Sequence, residues 1–211
     1  SNDFLRKIMH ENLGNHLEWL EFCRSVIKNI PLIEDHNFDS QGIYVSPHKF
    51  LVKLSEISTK EDIIIPCSSG GAFSVMMQAF EQKYGQKIVT NKGLASMGYG
   101  LSGAIGASIA NPDTRVILVE GDGGFAQNMQ EIGTAVINNC NLKVFIFDDN
   151  GYASIRMTQR TYFKGRYIGC DIDTGLGLPN WEVLFKAWNI TAMSIDEDTF
   201  DSGTKYMYFF R

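Results

Sequence analysis

The chain reads as an α/β domain of three layers, a central parallel β-sheet covered by helices on both faces. Three observations predict this. The short apolar runs "DIIIP" (62–66), "QKIVT" (86–90), "RVILVE" (115–120) and "LKVFIFDD" (142–149) are continuous rather than alternating, the pattern of strands buried on both sides. A helical stretch separates each run from the next, as crossover connections between parallel strands require. Finally, Asp and Gly crowd the C-terminal ends of the last two runs, the edge at which such sheets bind ligands.

Taken in chain order, Leu13, Leu17, Leu20, Cys23 and Ile27 recur at helical spacing and predict one helix ending before Pro31. An irregular acidic connection, "PLIEDHNFDSQGIYV", follows, so residues 1–45 read as helix and linker and residues 46–211 as the domain proper. Ser46-Pro47 opens the next helix, Ser as N-cap and Pro in the first turn, with Phe50, Leu51, Leu54 and Ile57 on one face. "AFSVMMQAFEQKYG" reads as a helix closed by Gly85, "LSGAIGASIA" as a small-residue helix and "FAQNMQEIGTAVINN" as a single helix. Near the C-terminus "TAMSI" and "KYMYFF" both read as strands, yet only about nine residues separate them, where a parallel crossover needs about a dozen or more. Either they form a hairpin or residues are missing between Ile195 and Lys205.

Composition narrows the function classes. The 211 residues carry a net charge of −5 with no long basic block, which argues against a nucleic-acid or membrane-surface partner. No apolar run is long enough to span a bilayer and no signal peptide is visible. Cys23, Cys67, Cys140 and Cys170 stand far apart without a Cys-x-x-Cys pair, as expected of reduced thiols in a cytoplasmic protein. The chain opens on Ser1-Asn2 rather than Met, so a piece of a longer protein is expected.

The chemistry concentrates in "VILVEGDGGFAQNMQE", residues 116–131. A strand that stops at Gly121-Asp122-Gly123-Gly124 and turns into a helix presents unpaired backbone N–H groups, which attract phosphates. A carboxylate there repels a phosphate unless a divalent cation lies between them, which is how Mg²⁺ is commonly held. Asp122 therefore reads either as a metal ligand or as a plain turn or N-cap residue. Asp149, in "DDNGY", leaves the next strand, and one βαβ unit places both acids at the same edge. A competing signal is "GYGLSG", Gly98 to Gly103, a G-x-G-x-x-G match with Glu120 about 20 residues on, as in a dinucleotide fold. Its first Gly should follow a strand directly, but "NKGLASM" intervenes, so Gly98, Gly103 and Gly106 read instead as letting a helix approach its neighbours.

These residues carry a resemblance. Gly121-Asp122-Gly123 followed at roughly two dozen residues by Asp149-Asn150 is similar to the thiamine-diphosphate signature, "GLASMGYGLSGAIGASIA" resembles a segment of acetolactate synthase-like enzymes, and "NMQEIGTAV" resembles another. The resemblance runs from "HLEWLEFCRSVI" to "KAWNI" and implies the C-terminal, diphosphate-binding domain of a longer enzyme, with residues 1–45 leading in from a missing central domain. It also implies a helix near the C-terminus, which favours missing residues there. By position, Asp122 and Asp149 would hold Mg²⁺ by side chain and Gly151 by its carbonyl. Ser68, Ser69 and Gly70 fall where the family has a diphosphate-contacting loop, as do Gly121, Gly123 and Gly124 at the second turn, with Tyr152 beside them. Met97 would sit under the bent cofactor, while its N–H and the Ala95 carbonyl, with Ser96 between, would address the aminopyrimidine. Residue composition alone would make Met97 a core filler.

The resemblance implies thiamine diphosphate and Mg²⁺ as cofactors and leaves open whether a central domain carries FAD. It implies a 2-keto acid substrate such as pyruvate, which loses CO₂ before the remaining unit passes to an acceptor, with the cofactor as electron sink. It places no catalytic residue here, since the activating Glu belongs to a missing domain, and it implies a homodimer or higher homo-oligomer. Transfer of a two-carbon unit to a keto sugar, as in surface-polysaccharide synthesis, and a non-catalytic nucleotide-binding or dimerisation module are the alternatives. Asp149 stands where the family usually has Asn, Ser102 where Pro is common, and Ser68-Ser69-Gly70 departs from "GQHQ". The four histidines, at 10, 16, 36 and 48, all precede the first strand. "SIRMTQRTYFKGR", residues 154–166, reads either as a lid turning Arg156, Gln159, Arg160 and Arg166 towards an anionic substrate or as a solvated basic face.

Overall fold

The computed structural model describes residues 2–11, 14–31, 33–34, 36, 45–67, 69–196 and 200. The chain divides into two compact units, Ser1–Glu34 and Asp35–Arg211. The first holds α1 (Asn2–His10) and α2 (Leu17–Asn29). The single helix expected here is thus confined to α2, with Leu13 outside the described residues, and α2 buries none of its side chains.

The second unit begins with α3 (Pro47–Ile57), whose N-cap Ser46 accepts the Lys49 N–H as expected. Phe50, Leu51 and Leu54 are buried, but Ile57 is exposed, and Ser55 takes the inward position instead. Its hydroxyl donates to the Leu51 carbonyl at 2.8 Å and accepts from the Glu81 N–H at 2.9 Å. There follow β1 (Ile63–Pro66), α4 (Gly70–Ala79), β2 (Lys87–Ile88), α5 (Tyr99–Ala110), β3 (Val116–Gly121), α6 (Asp122–Ala126), α7 (Ile132–Ile137), β4 (Leu142–Phe147), α8 (Ala153–Tyr162) and α9 (Trp181–Ala187).

Among the described residues the sheet has the order β2-β1-β3-β4, every pair parallel, with Ile63 opposite Val116 and Val116 opposite Leu142. Side chains alternate between its faces. Ile63, Ile65, Val116, Leu118, Leu142 and Val144 join one cluster with Leu101, Ala104 and Ile105 of α5 and with Phe125, Ile132 and Ala135. On the opposite face Phe50 of α3 packs edge-on against Phe145 and Phe147 of β4, and α4 contacts α3 as well as β1 and β3. Burial on both faces explains the continuous apolar runs.

Several element bounds differ from the sequence reading, and polar side chains account for them. The helix expected to run to Gly85 stops at Ala79, because the next residues bond to α3 rather than to α4. Lys83 donates to the Ser55 carbonyl and the Ser58 hydroxyl, and Gln86 Nε2 donates to the Thr59 carbonyl. Gly85, at φ +86, only turns the chain into β2, which spans two residues of the five expected. The helix expected over 125–139 breaks into α6, a 3₁₀ turn at Met129–Glu131 and α7. Asn128, at φ −140, marks the break, its amide donating to the Gly98 carbonyl and to Ser102 Oγ. "TAMSI" forms no strand within the described residues, and "KYMYFF" lies outside them. Helix α9 carried no expectation of its own. Among the described residues no helix is long and apolar enough to cross a membrane.

Candidate cofactor site at the C-terminal edge of the sheet

The C-terminal ends of β1, β3 and β4 border a cavity of about 1490 Å³. Ser69, Gly70, Ala95, Met97, Gly121, Asp122, Gly123, Gly124, Asp149, Gly151 and Tyr152, each expected at a ligand site, line it. Ser68 lies outside the described residues, and Ser96 stands between Ala95 and Met97 in the same loop.

Asp122 is buried at the joint of β3 and β4. Its Oδ1 accepts the Gly123 N–H at 2.6 Å and its Oδ2 accepts the Gly151 N–H at 2.8 Å. It is not the N-cap of α6, a place held by Gly121 without a side-chain bond. The carboxylate instead ties two strand ends together. Burial raises its pKa to about 7, the Gly151 and Gly123 N–H groups oppose the rise, and Asp149 and Asp148 add to it. The Asp122 carboxylate is thus held where anionic charge is disfavoured.

At the end of β4, Asn150 adopts a left-handed φ of 60° and Gly151 a φ of 147°. A Cβ on Gly151 would run into the Cys170 carbonyl, and Gly151 forms an isolated antiparallel bridge with Asp171. Tyr152 donates its N–H to Cys170 at 2.8 Å, lays its ring where a Gly123 side chain would be and accepts from Gln127 at its hydroxyl. Only glycine fits at 151 and 123 for these reasons. Asp149 is half exposed, and its Oδ1 accepts from Arg156 Nη2 at 2.6 Å. Burial raises the Asp149 pKa and Arg156 opposes it.

Of the segment expected either as a lid or as a solvated basic face, Arg156 lines the cavity, and both Arg156 and Gln159 are held by the protein's own groups. The segment is helix α8 followed by a turn, and Arg156 also donates to the carbonyls of Asp149 and Cys170. Gln159 grips the Ile168 backbone twice, donating to its carbonyl and accepting its N–H, both at 3.1 Å.

Sequence reasoning missed the role of Glu120. It is buried on the sheet face that carries α5, its carboxylate packed against Gly100 and Gly124 and close enough to the Cys67 thiol to act on its pKa. Burial raises its pKa to about 7, and burial together with Glu120 pushes the Cys67 thiol up. Cβ atoms on Gly100 or Gly124 would collide with its carboxylate. Glu120 thus braces three segments at once, the turn after β1, the start of α5 and the turn after β3. An acid closing an apolar strand, with glycines upstream and downstream, was the available signal.

The same contacts overturn the dinucleotide reading. Gly100 makes room for Glu120 and Gly103 for the Tyr99 ring, so these glycines admit the protein's own side chains rather than a pyrophosphate. Gly98, at φ +84, lies against Gln127 and Asn128, whereas Gly106 has open space above it and needs no glycine for packing.

The chain matches the family "Thiamine pyrophosphate enzyme, C-terminal TPP binding domain" over residues 69–205. It is 29% identical over 187 residues to the probable acetolactate synthase large subunit of Methanococcus aeolicus, covering 86% of this chain and 30% of that protein. It is 28% identical over 155 residues to the acetolactate synthase isozyme 2 large subunit of Escherichia coli (strain K12), covering 72% and 27%. The thiamine diphosphate-dependent 4-hydroxybenzoylformate decarboxylase of Rhodococcus jostii RHA1 shares its fold, with a TM-score of 0.66 at 18% identity over 78% of this chain and 30% of that one. The chain spans about 30% of the length of these relatives. With the family match covering most of the α/β unit and the cavity lying at its ligand edge, the chain belongs to the C-terminal TPP-binding domains of thiamine pyrophosphate enzymes.

Proposed function

We propose that this edge binds thiamine diphosphate through Mg²⁺, and that the domain serves an acetolactate synthase-like enzyme which decarboxylates a 2-keto acid such as pyruvate and transfers the remaining unit. The carrying observation is Asp122, a buried carboxylate bonded to the Gly151 N–H at 2.8 Å, which fixes the ends of β3 and β4 beside the cavity. The donor set is all oxygen, the Asp122 and Asp149 carboxylates and the Gly151 carbonyl, and this suits Mg²⁺. Among the described residues no group of three or more His, Cys, Asp or Glu could hold a metal by itself. Mg²⁺ bound by one or two carboxylates with phosphate oxygens needs no such cage.

Space supports the same reading. A Cβ on Gly71 or Gly121 would meet nothing within 4 Å, and one on Gly70 only Ser154 Oγ at 3.9 Å. The backbone at the start of α4 is thus open to a diphosphate, whose charge suits the N–H groups of a helix N-terminus. Ser69 and Gly70 would bind it there and Gly121 at the other end, whereas the space at Gly123 and Gly124 is taken by Tyr152 and Glu120, so these two would serve by letting the turn close beside the site. Met97 would shape the cofactor from below, and the backbone from Ala95 through Ser96 would orient its ring. Bound thiamine diphosphate would supply the electron sink for loss of CO₂. This domain would contribute anchoring and shape, while the activating carboxylate and a partner copy complete the cleft.

Thermal melting with Mg²⁺ tests the assignment against the dinucleotide alternative. Thiamine diphosphate with Mg²⁺ raises the melting temperature and NAD does not. The reverse result would reject it.

A further inference from the structure

Asp149, at the end of β4, shares its carboxylate with Arg156. Its Nη2 lies 2.6 Å from Asp149 Oδ1 and 3.0 Å from the carbonyl of the same residue, and its Nη1 lies 3.2 Å from the Cys170 carbonyl. The guanidinium thus spans the strand end and the turn that holds Gly151. Its own side chain is only 25% exposed, so this is no loose surface pair. A Cβ on Gly151 would come 2.8 Å from Nη1, which places the guanidinium directly across the metal-binding turn.

From this geometry, and resting on the Mg²⁺ reading above, we infer that Arg156 is a positioning residue which claims one oxygen of Asp149 and leaves the other for the metal. A carboxylate has two oxygens and can serve two cations at once. An asparagine has one, its second atom being an NH₂ that donates and cannot ligate. With Arg156 in place, an amide at 149 has a single oxygen to share between the guanidinium and Mg²⁺, two cations that repel each other at one atom, so at least one of the two bonds is weakened. The pair Asp149 and Arg156 together then presents to the metal one oxygen with little net charge. Sequence reasoning placed Arg156 on a lid or a solvated basic face and had no sight of its bond to Asp149.

The inference predicts a sign reversal between backgrounds. Mg²⁺ is titrated at fixed thiamine diphosphate into the whole natural chain and three variants, with intrinsic tryptophan fluorescence and heat as readouts and the melting temperature as the check on folding. Asp149→Asn alone weakens Mg²⁺ binding about tenfold, the scale of one hydrogen bond to a charged group. Arg156→Met alone costs at most about threefold, because both oxygens of Asp149 remain. Asp149→Asn combined with Arg156→Met returns to within about threefold of the starting protein, since the amide oxygen is released to the metal. If Asp149→Asn is harmless beside Arg156, or the double variant is as weak as Asp149→Asn, the inference fails while the cofactor assignment stands. If the unmodified protein takes up no thiamine diphosphate with Mg²⁺, the assignment fails and the inference with it.

Discussion

The two ends of the ligand edge are built differently. At the end formed by β3 and β4, Asp122, Gly151, Asp149, Arg156 and Cys170 are bonded to one another. At the end formed by β1 and the 91–97 loop, glycines leave open space, Ala95 sits at a φ of 52° and Met97 is 41% exposed. A buried carboxylate such as Asp122 needs fixed partners, because an unpaired buried charge is costly. A backbone surface that accepts a diphosphate needs only room and unshielded N–H groups. Substitutions should therefore damage the first end through stability as well as binding and the second through affinity alone.

The largest effect is expected at Gly151. Gly151→Ala drives a Cβ into the Cys170 carbonyl at a φ of 147°, which should cost about 2–4 kcal/mol in urea unfolding, the scale of a strained backbone with a clash. A loss below about 0.5 kcal/mol would mean that the turn is softer than it looks.

Next comes the proton linkage of Glu120. Its folded pKa of about 7 lies above the ordinary 4.5, so the folded state holds the proton more tightly than the unfolded state. The corresponding stability is present below pH 4.5 and is lost as pH rises through about 7, with Asp122, raised from 3.8 to about 7, adding a slope of the same sign. Glu120→Gln, with Mg²⁺ absent, should flatten the fall in melting temperature across that window and leave the Asp122 part. An unchanged profile would mean that Glu120 is not the linked group.

The smallest effect is at the open end. Gly71→Ala should stabilise the ligand-free fold by about 0.5 kcal/mol, because Ala is the better helix former and no neighbour lies within 4 Å of the added methyl. It should also weaken thiamine diphosphate, so the melting temperature without ligand and the shift with ligand move in opposite directions.

The contrast also explains what the sequence made legible. Apolar runs and turn residues are local signals, and they placed the parallel sheet, its ligand edge and the proximity of Asp122 to the end of β4. What stayed hidden depends on side chains from distant segments. Arg156 meeting Asp149, Glu120 filling the space of Gly100 and Gly124, and Lys83 reaching back to Ser55 are all set by packing. So are the early end of α4 and the break at Asn128, where a polar bond to another element replaces a further turn of helix. Helical periodicity continued through both places and gave no warning.

Calorimetric titration of thiamine diphosphate with and without Mg²⁺, into the unmodified protein and Asp122→Ala, tests the account at its centre. Binding by the unmodified protein is expected only with Mg²⁺ and none by Asp122→Ala, together with loss of the ligand-induced stabilisation, about 2.7 kcal/mol at a hundredfold excess over Kd. Equal, Mg²⁺-independent binding by a folded Asp122→Ala protein would contradict it.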